Sequence, residues 1–555
     1  MNYKRYKRNP VVELPDRQWP NKEINNAPIW CSVDLRDGNQ ALIEPMVVEE
    51  KVEFFKLLVG LGFKEIEVGF PSASQIEFDF LRQLVDRKLV PDDVTVQVLV
   101  QCREHLLKRT FEALEGLPRA IVHIYNSTSV LQRDVVFNMS KEQIKNIAIE
   151  GTKLVKEYAK TFEGEIILEY SPESFSGTEV DYALEVCTAV IDTWEPTPEN
   201  KIIINLPSTV EMNTPNVYAD QIEWMNRNFK NRDSIILSVH PHNDRGTGIA
   251  ATELAMLAGA DRVEGTLFGN GERTGNVDIL TVAYNLFSQG IDPKLNISNI
   301  NEIIELYERL TKMKVHERHP YAGKLVFTAF SGSHQDAINK GMQAMRERNS
   351  QNWAVPYLPI DPADIGRSYE PVVRINSQSG KGGVAFIMET YFGYKLPKGM
   401  HKEFADVIQL LSEKQGEVAP DQIMEEFKKC YIDRKEPLHF RRCKFEDLMD
   451  TDEGCTHAVL HYTDHGVEKS FEATGNGPID AVLKGLQEEL GIHIKVLDYT
   501  EHALGGGAGA QAAAYIHMLD MTTSKATFGV GVSSNITRAS IRAIFSAMNR
   551  LGIRK

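Results

Sequence analysis

Ser32-Val33-Asp34-Leu35-Arg36-Asp37-Gly38-Asn39-Gln40 is the stretch around which the rest of the chain is organised. It follows the short apolar run Ile29-Trp30-Cys31 and precedes an amphipathic helical pattern. This order is typical of a strand that ends in a Gly-Asn turn. Arg36 and Asp37 then lie side by side at a strand end. A cation next to a carboxylate at that place suits a site that holds a metal ion and stabilises developing negative charge.

The strand–helix alternation begun by this stretch recurs eight times. Eight such units over about 270 residues predict an α/β fold of the (β/α)8-barrel type. A doubly wound open sheet is the alternative, but no predicted strand is followed by a dinucleotide-type Gly-rich turn. The predicted strands are Ile29–Asp34, Glu65–Phe70, Val94–Val100, Ala120–Tyr125, Ile166–Tyr170, Ile202–Leu206, Ile235–His240 and Arg262–Leu267.

Polar residues gather at or just after the ends of these strands. In a (β/α)8 barrel the carboxyl ends of all strands meet at one mouth, where active sites are built. The sequence therefore predicts a polar site at this mouth, formed by Arg36, Asp37, Pro71, Ser72, Gln101, His123, Asn126, Ser171, Glu173, Thr209, His240 and His242.

His240 and His242 are two residues apart on a predicted strand, so their side chains point to the same side. Together with Asp37 they offer two imidazoles and one carboxylate, which suits a divalent metal ion with positions left open for substrate. A His-x-His pair alone fits a structural role equally well, and its position on the seventh strand favours the metal. Asn276, at the end of the Gly-rich loop Gly269–Asn276, is either a further ligand or a cap of that loop.

The remaining polar residues each have two interpretations. Arg36 either stabilises an enolate or alkoxide or forms an ion pair with Asp37. Ser171 and Thr209 offer hydroxyls to a substrate carboxylate or cap strand ends. His123 and Glu173 move or orient protons, or are structural. His334, on a Gly-Ser turn that opens a helix, reads from the residues alone as a surface histidine.

Composition excludes several classes of protein. The 555 residues carry a formal net charge of −15, which argues against nucleic acid as a partner. The basic run Lys4–Arg8 reads as a solvated tail. No apolar stretch is long enough to span a bilayer, and no apolar segment follows the N-terminal charges as in a secretory signal. Six scattered cysteines without a C-x-x-C motif predict reduced thiols in a cytoplasmic protein.

The length predicts more than one domain. We expect an N-terminal arm at 1–27, a catalytic barrel at 28–320, linker subdomains at 321–430 and a regulatory domain at 431–555. The last part shows five predicted strands, and the similar Gly-rich turns before its two helices, Ile479–Leu490 and Ile536–Leu551, indicate two β-β-β-α modules. Between the modules, Gly505–Ala510 is either a loop that closes over a small ligand or an ordinary hairpin connection.

Several motifs together resemble one family. Asp34–Gln40, His240–Asp244 and Gly269–Asn276 are similar to the signature of the Claisen-condensing, metal-dependent barrel enzymes, and nearly the whole chain resembles the longer bacterial members that begin leucine biosynthesis. Further similar motifs are Arg17–Pro20, Ser171–Glu179, Asn205–Glu211, Ser333–Ala337 and Pro356–Pro362. The resemblance implies that the enolate of acetyl-CoA attacks the keto carbon of 2-oxoisovalerate, and that thioester hydrolysis then releases CoA and 2-isopropylmalate.

The resemblance also implies roles for individual residues. It assigns the metal to Asp37, His240, His242 and Asn276, and catalysis to Arg36, Glu173, His334 and Tyr357. It places His123, Ser171 and Thr209 in the substrate pocket. The residues alone indicate a surface position for His334, whereas the resemblance implies that His334 enters the active site of the partner subunit. The residues that it places near a leucine effector are Gly509, Ala510, Gly531 and Ala539.

The implied cofactor is a divalent ion, with Mg2+ expected, Mn2+ or Zn2+ as alternatives, and K+ as an activator. The implied assembly is a homodimer with exchanged linker domains. Sister synthases that form homocitrate or citramalate share the barrel motifs, and a related lyase or biotin-dependent carboxylase shares the barrel. An amino-acid sensor with an inactive barrel is a further alternative, but it predicts loss of Asp37, His240 or His242, and all three are present.

Overall fold

The computed structural model describes all residues except 1, 8, 330, 370–380, 416–417, 433, 449–454, 506–509 and 554–555. The chain divides into two compact units. The first consists of Met1–Phe327 and Ile360–Ser368, and the second of Thr328–Pro359 and Tyr369–Lys555. None of the helices within the described part of the chain combines the length and apolar character that a bilayer crossing requires.

Eight parallel strands form a closed barrel in the first unit, in the order of the sequence. The barrel closes where residues 29–32 of the first strand pair with residues 262–265 of the last. This confirms the predicted barrel and makes the open-sheet alternative wrong. The strands are β1 Ile29–Ser32, β2 Glu65–Gly69, β3 Thr95–Gln101, β4 Arg119–Ser127, β5 Glu165–Glu173, β6 Ile202–Ser208, β7 Ile235–Pro241 and β8 Arg262–Gly265.

Helices connect the strands and cover the outside of the barrel. The strands are therefore buried on both faces, as is usual for parallel sheets, and all seven residues of β6 are buried. The helices of this unit are α1 Val48–Leu61, α2 Gln75–Asp86, α3 Glu104–Leu114, α4 Lys141–Ala159, α5 Val180–Trp194, α6 Pro215–Asn228, α7 Gly248–Ala258, α8 Ile279–Ser288 and α9 Ile300–Thr311.

The N-terminal segment is fastened to α6 by charged hydrogen bonds. Two nitrogens of Arg17 donate to the buried Asp220 over 2.7 and 2.8 Å, and the indole of Trp19 donates to the same carboxylate over 2.8 Å. The backbone nitrogens of Gln18 and Trp19 donate to Glu223. Such charge-assisted bonds to buried acids hold a chain segment well.

Among its described residues, the second unit contains four helices and two three-stranded antiparallel sheets, and each sheet is followed by one further helix. The elements are α10 Gly332–Arg348, α11 Lys381–Phe392, α12 Lys398–Gln415, α13 Pro420–Phe427, β9 Leu438–Leu448, β10 Cys455–Asp464, β11 Val467–Gly475, α14 Pro478–Leu490, β12 Ile494–Leu504, β13 Gln511–Asp520, β14 Lys525–Ser533 and α15 Ile536–Leu551. The sheet orders are β11-β10-β9 and β12-β13-β14. Two β-β-β-α modules are thus confirmed, with β9 as the strand that the sequence pattern did not reveal.

Strand β13 contributes side chains to two separate cores. Ala514 and Ile516 belong to the apolar cluster that includes α14 and α15. Ala513 and Tyr515 belong to a second cluster, formed with helices α11, α12 and α13. This follows from the alternation of side chains along a strand, which here gives each face of the sheet its own helical layer.

Candidate active site

The turn Asp34–Gly38 carries Arg36 and Asp37 at the mouth of the barrel. The buried Asp34 fixes this turn, because its carboxylate accepts hydrogen bonds from the Ser32 hydroxyl (2.8 Å) and from the backbone nitrogen of Leu267 (3.0 Å), which follows β8. These bonds join the turn to the ends of β1 and β8, the two strands whose pairing closes the barrel. Asp34 belongs to the motif on which the sequence prediction rested, but its positioning role appears only in the structure.

Four donor atoms converge at the ends of β1 and β7 and in the loop after β8. His240 Nε2 lies 3.3 Å from Asp37 Oδ2 and 3.1 Å from Asn276 Oδ1. His242 Nε2 lies 3.7 Å from Asp37 Oδ2. Strand β7 ends at Pro241, so the prediction that both histidines lie within the strand is wrong for His242, which instead pairs with Asn276 as an isolated bridge.

The protonation of this cluster is set by its neighbours. His240 Nδ1 lies 2.7 Å from Glu264 Oε2, and a carboxylate only accepts, so Nδ1 bears hydrogen and Nε2 faces the cluster. Burial opposes a charge on His240, yet the bonds to Asp37 and Glu264 raise its pKa to about 9. Burial and the adjacent His240 lower the pKa of His242 to about 3. Burial would raise the pKa of Asp37, but Arg36 and the histidines hold it well below its usual range.

The donor set fits a divalent metal ion. Asp37, His240 and His242 are buried, and their ligand atoms lie within 4.8 Å of one another. Asp37 is ionised, and Glu264 orients the His240 ring. Two imidazoles with carboxylate and amide oxygens form a donor set for a divalent ion.

Arg36 is held between two carboxylates. Its Nη1 donates to Asp37 Oδ1 over 2.6 Å and its Nε donates to Glu67. Burial disfavours the charged guanidinium, but Asp37 and Glu67 outweigh burial and raise its pKa further above the ordinary value. The predicted ion pair with Asp37 exists, and it leaves Arg36 on the wall of the cavity described next. The two interpretations of Arg36 are therefore compatible.

A cavity of about 200 Å³ opens at the barrel mouth. Eight of the twelve residues predicted at the mouth line it, together with Leu99, Tyr125, Asn205 and Pro207: Arg36, Asp37, His123, Ser171, Glu173, Thr209, His240 and His242. The other four predicted residues, Pro71, Ser72, Gln101 and Asn126, are not among the residues that line this cavity. Within it, His123 Nε2 lies 2.7 Å from the Ser171 hydroxyl oxygen, and Nδ1 of the same ring donates to the Glu67 carboxylate over 3.0 Å. Glu173 accepts from Ser127, and the Thr209 hydroxyl accepts from the Ser174 nitrogen over 2.9 Å.

A charged layer inside the barrel lies under this cavity and was missed by sequence reasoning. Glu67, Glu169, Arg262 and Glu264 are fully buried, together with Gln97. Arg262 donates to Glu264 over 2.9 Å and to Gln97 over 2.6 Å. The available signal was the presence of ionisable residues within otherwise apolar strands, as in Glu65-Ile66-Glu67-Val68 and Arg262-Val263-Glu264.

His334 and Tyr357 lie in the second unit. The structure brings these two rings together, with centroids 4.1 Å apart and near-parallel planes. Both side chains are exposed, and Tyr357 has a positive φ of 65°. His334 therefore lies at the surface of this unit, as the residues alone predicted.

The predicted effector residues fall in the second β-β-β-α module. Gly509 lies outside the described residues, and Ala510 immediately precedes β13. Gly531 on β14 packs directly against α15, since a Cβ at Gly531 would lie 2.0 Å from the carbonyl oxygen of Ala539. Gly531 and Ala539 are thus neighbours at a close strand–helix contact.

Comparison with known proteins assigns the chain. Residues 27–306 match the HMGL-like family, which places the barrel among the HMGL-like enzymes. Residues 324–389 match the alpha-isopropylmalate synthase post-catalytic domain, and residues 417–552 match the LeuA allosteric (dimerisation) domain. The chain belongs to the 2-isopropylmalate synthase family.

Full-length relatives support this assignment. The 2-isopropylmalate synthase of Clostridium acetobutylicum is 56% identical, covering 99% of both chains. That of Brucella suis is 55% identical, covering 98% of both. Among solved structures, hydroxymethylglutaryl-CoA lyase from Pseudomonas aeruginosa is 19% identical with a TM-score of 0.43, covering 53% of this chain and 96% of the lyase.

Proposed function

We propose that the chain condenses acetyl-CoA with 2-oxoisovalerate and water to give (2S)-2-isopropylmalate and CoA, the first committed step of leucine biosynthesis. The observation that carries this proposal is the convergence of Asp37, His240, His242 and Arg36 on one small cavity. Relatives that match the chain over nearly its whole length carry the name 2-isopropylmalate synthase.

Asp37, His240 and His242 would hold the divalent ion, with Asn276 as a fourth donor. Mg2+ is the expected ion, Mn2+ and Zn2+ are alternatives, and K+ is a further activator. When bound, such an ion supplies a Lewis acid for the keto carbonyl of the substrate. The carboxylate and amide oxygens together with open coordination positions favour Mg2+ or Mn2+.

The chain's own residues position the reactants. Arg36, held by Asp37 and Glu67, stabilises the negative charge that develops as a proton leaves the acetyl methyl group and the enolate attacks. His123, Ser171 and Thr209 bind the carboxylate and keto groups of the 2-oxo acid, and Glu173 orients protons beside them. A cavity of about 200 Å³ matches a small oxo acid.

Proton transfer by His334, supported by Tyr357, belongs to the same proposal. The two exposed, stacked rings would serve the active site of the partner subunit in a cytoplasmic homodimer. The match of residues 417–552 to a LeuA allosteric (dimerisation) domain supports both the dimer and inhibition by leucine. Leucine would bind near Gly509, Ala510, Gly531 and Ala539.

The test is release of the CoA thiol from acetyl-CoA with Mg2+, across a panel of 2-oxo acids, each with and without leucine. We expect preference for 2-oxoisovalerate, inhibition by leucine, and loss of turnover after chelation with recovery on adding Mg2+. Preference for 2-oxoglutarate or pyruvate would instead assign the homocitrate or citramalate reaction. No thiol release from folded, metal-loaded protein would contradict the proposal.

A further inference from the structure

Arg273 lines the active-site cavity, and the residues named for the proposed reaction do not include it. It lies in the Gly-rich loop after β8, and its backbone has a positive φ of 58°. Left-handed backbone is uncommon for residues other than glycine, asparagine and aspartate, and where it persists the surrounding contacts hold it. The contacts of the Arg273 side chain therefore indicate what this conformation serves.

The guanidinium of Arg273 forms a bidentate ion pair with Asp244, which lies in the loop after β7. Its Nε donates to Oδ1 over 2.7 Å and its Nη2 donates to Oδ2 over 3.2 Å. Exposed ion pairs usually contribute little. Here the Asp244 side chain is only 17% exposed, and paired bonds between a guanidinium and a carboxylate fix the orientation of both groups. Arg273 thus joins the loop after β8 to the loop after β7.

The loop after β7 is itself bonded to the loop after β6. The buried Glu211 of the latter accepts hydrogen bonds from the backbone nitrogen of Arg245 and from the Thr247 hydroxyl, each over 2.6 Å. In return, Asp244 accepts from the backbone nitrogen of Glu211 over 3.2 Å. Because these reciprocal bonds hold the two loops together, Asp244 is a fixed anchor for the guanidinium of Arg273.

Arg273 also holds Thr209, the residue proposed to bind the substrate carboxylate. Its Nη2 donates to the backbone carbonyl of Thr209, immediately after β6. The Thr209 hydroxyl accepts from the backbone nitrogen of Ser174 over 2.9 Å. A hydroxyl that accepts one bond keeps its own hydrogen to donate. Thr209 is thus held at its carbonyl and at its hydroxyl, with one hydrogen left for a carboxylate in the cavity.

We propose that Arg273 is a positioning residue for the acceptor substrate. By holding the Thr209 carbonyl from the anchored Asp244, it directs the Thr209 hydroxyl towards the carboxylate of the 2-oxo acid. Arg273 acts in this way through Thr209, without touching the reacting atoms. The proposal rests on the condensation proposed above and adds to it the group that holds a carboxylate-binding residue in place.

The test compares Arg273→Gln with Arg245→Gln. Both variants remove one positive charge from a loop at the barrel mouth, but Arg245 is exposed and is not among the residues that line the cavity. Loss of a contact made equally in the bound substrate and in the transition state raises KM and spares kcat. We expect Arg273→Gln to raise the KM for the 2-oxo acid about tenfold, with kcat within about threefold and the KM for acetyl-CoA within about twofold of the parent. Arg245→Gln should leave all three near the parent values.

Two further comparisons separate positioning from a simple effect of charge. Arg273→Lys keeps the charge but loses the planar guanidinium, so its KM for the 2-oxo acid should stay within about threefold of that of Arg273→Gln. In a Thr209→Val background, Arg273→Gln should change this KM less than about twofold, because the hydroxyl that it positions is gone. Recovery of the parent KM with lysine, or an equal effect of Arg273→Gln with and without the Thr209 hydroxyl, would overturn the proposal.

Calorimetric titration with 2-oxoisovalerate, 2-oxoglutarate and pyruvate, each with Mg2+, separates this proposal from the proposed reaction. All three acids carry the same carboxylate, and binding needs no turnover. We expect Arg273→Gln to bind the preferred acid about tenfold more weakly than Arg245→Gln. Equal affinities of the two variants, with normal condensation, would overturn the role of Arg273 and leave the reaction standing. Weakened binding by Arg273→Gln, with no condensation by the parent, would contradict the reaction and leave the role of Arg273 standing.

Discussion

His242 is the member of the donor cluster with the least support from its neighbours. Its Nδ1 is buried and has no hydrogen-bond partner among the described residues. We predict that His242→Ala lowers turnover by at least about 100-fold, because loss of a ligand exceeds the 10–100-fold cost of losing a supporting group. Metal content and thermal unfolding, measured on the same sample, should show lost metal and a retained fold. Near-normal turnover in chelated protein would contradict the metal role.

Glu169 and Glu264 face each other inside the barrel, yet we expect them to differ in charge. Burial and the neighbouring Glu264 hold the pKa of Glu169 well above its usual range, whereas Arg262 and His240, which outweigh burial, hold that of Glu264 well below. Glu169→Gln replaces a neutral acid by a neutral amide and should change metal affinity less than about twofold. Glu264→Gln removes the carboxylate that orients His240 and should weaken metal binding about 10–100-fold. Titration with Mn2+ measures both, and equal losses would contradict this assignment.

Asp34 makes a specific contribution to pH dependence. Burial raises its pKa to about 7, so between pH 4 and 7 the folded state binds more protons at this group than the unfolded state does. Its contribution to stability is therefore present at low pH and is lost as pH rises towards 7, by at most about 1.4 kcal/mol per pH unit. Asp34→Asn should remove this part of the slope. Denaturant unfolding at pH 5, 6, 7 and 8 gives the free energy of unfolding of parent and variant. Equal dependence of that free energy on pH in the two proteins would refute the prediction.

The candidate site divides into residues that the sequence revealed and residues that it did not. Asp37, His240 and Arg36 could be predicted because they stand at strand ends, and a barrel brings all strand ends to one mouth. Glu67, Glu169 and Glu264 lie within the strands. Their partners come from strands far apart in sequence, as in the bond from Gln97 to Glu264, so neither periodicity nor spacing indicates the network.

At the scale of elements, the contact between β14 and α15 depends on glycine. A Cβ at Gly531 would lie 2.0 Å from a helix carbonyl, whereas one at Gly477 would meet nothing within 4 Å. We predict that Gly531→Val destabilises the second unit by about 1–3 kcal/mol through overpacking and weakens inhibition by leucine. Gly477→Ala, at an extended backbone position, is the matched control. Thermal unfolding of both variants measures the difference, and equal melting curves would contradict the prediction.

Strand β9 shows why one element escaped the sequence pattern. Its buried residues Leu438 and Phe440 alternate normally, but the next residues packed on the core are Cys443 and Phe445. The phase changes because Phe440 pairs with Tyr462 and Arg442 with His461, so Arg441 is an extra residue at a bulge. A bulge shifts every later side chain to the other face, and no period-two template fits across it.

At the scale of the whole molecule, the role proposed for His334 requires two subunits. We predict that Arg36→Ala and His334→Ala homodimers are each nearly inactive, and that co-expressed chains recover about a quarter of parent activity. Half of the dimers would be mixed, and one of the two sites in each mixed dimer would be intact. Thiol release from the unseparated mixture of co-expressed chains, compared with the parent at equal total protein, measures this. Activity no higher than that of the single variants would indicate that His334 acts within its own subunit.

The two-sided burial of β13 has a consequence for motion in the second unit. Its side chains alternate between the α14–α15 core and the α11–α13 core, and it pairs with a strand along each edge. The amide hydrogens of β13 should therefore be among the slowest in this unit to exchange with deuterated water, since their exposure requires both cores to open together. A displacement of the backbone at Ala510, immediately before β13, would therefore move side chains in both helical layers together.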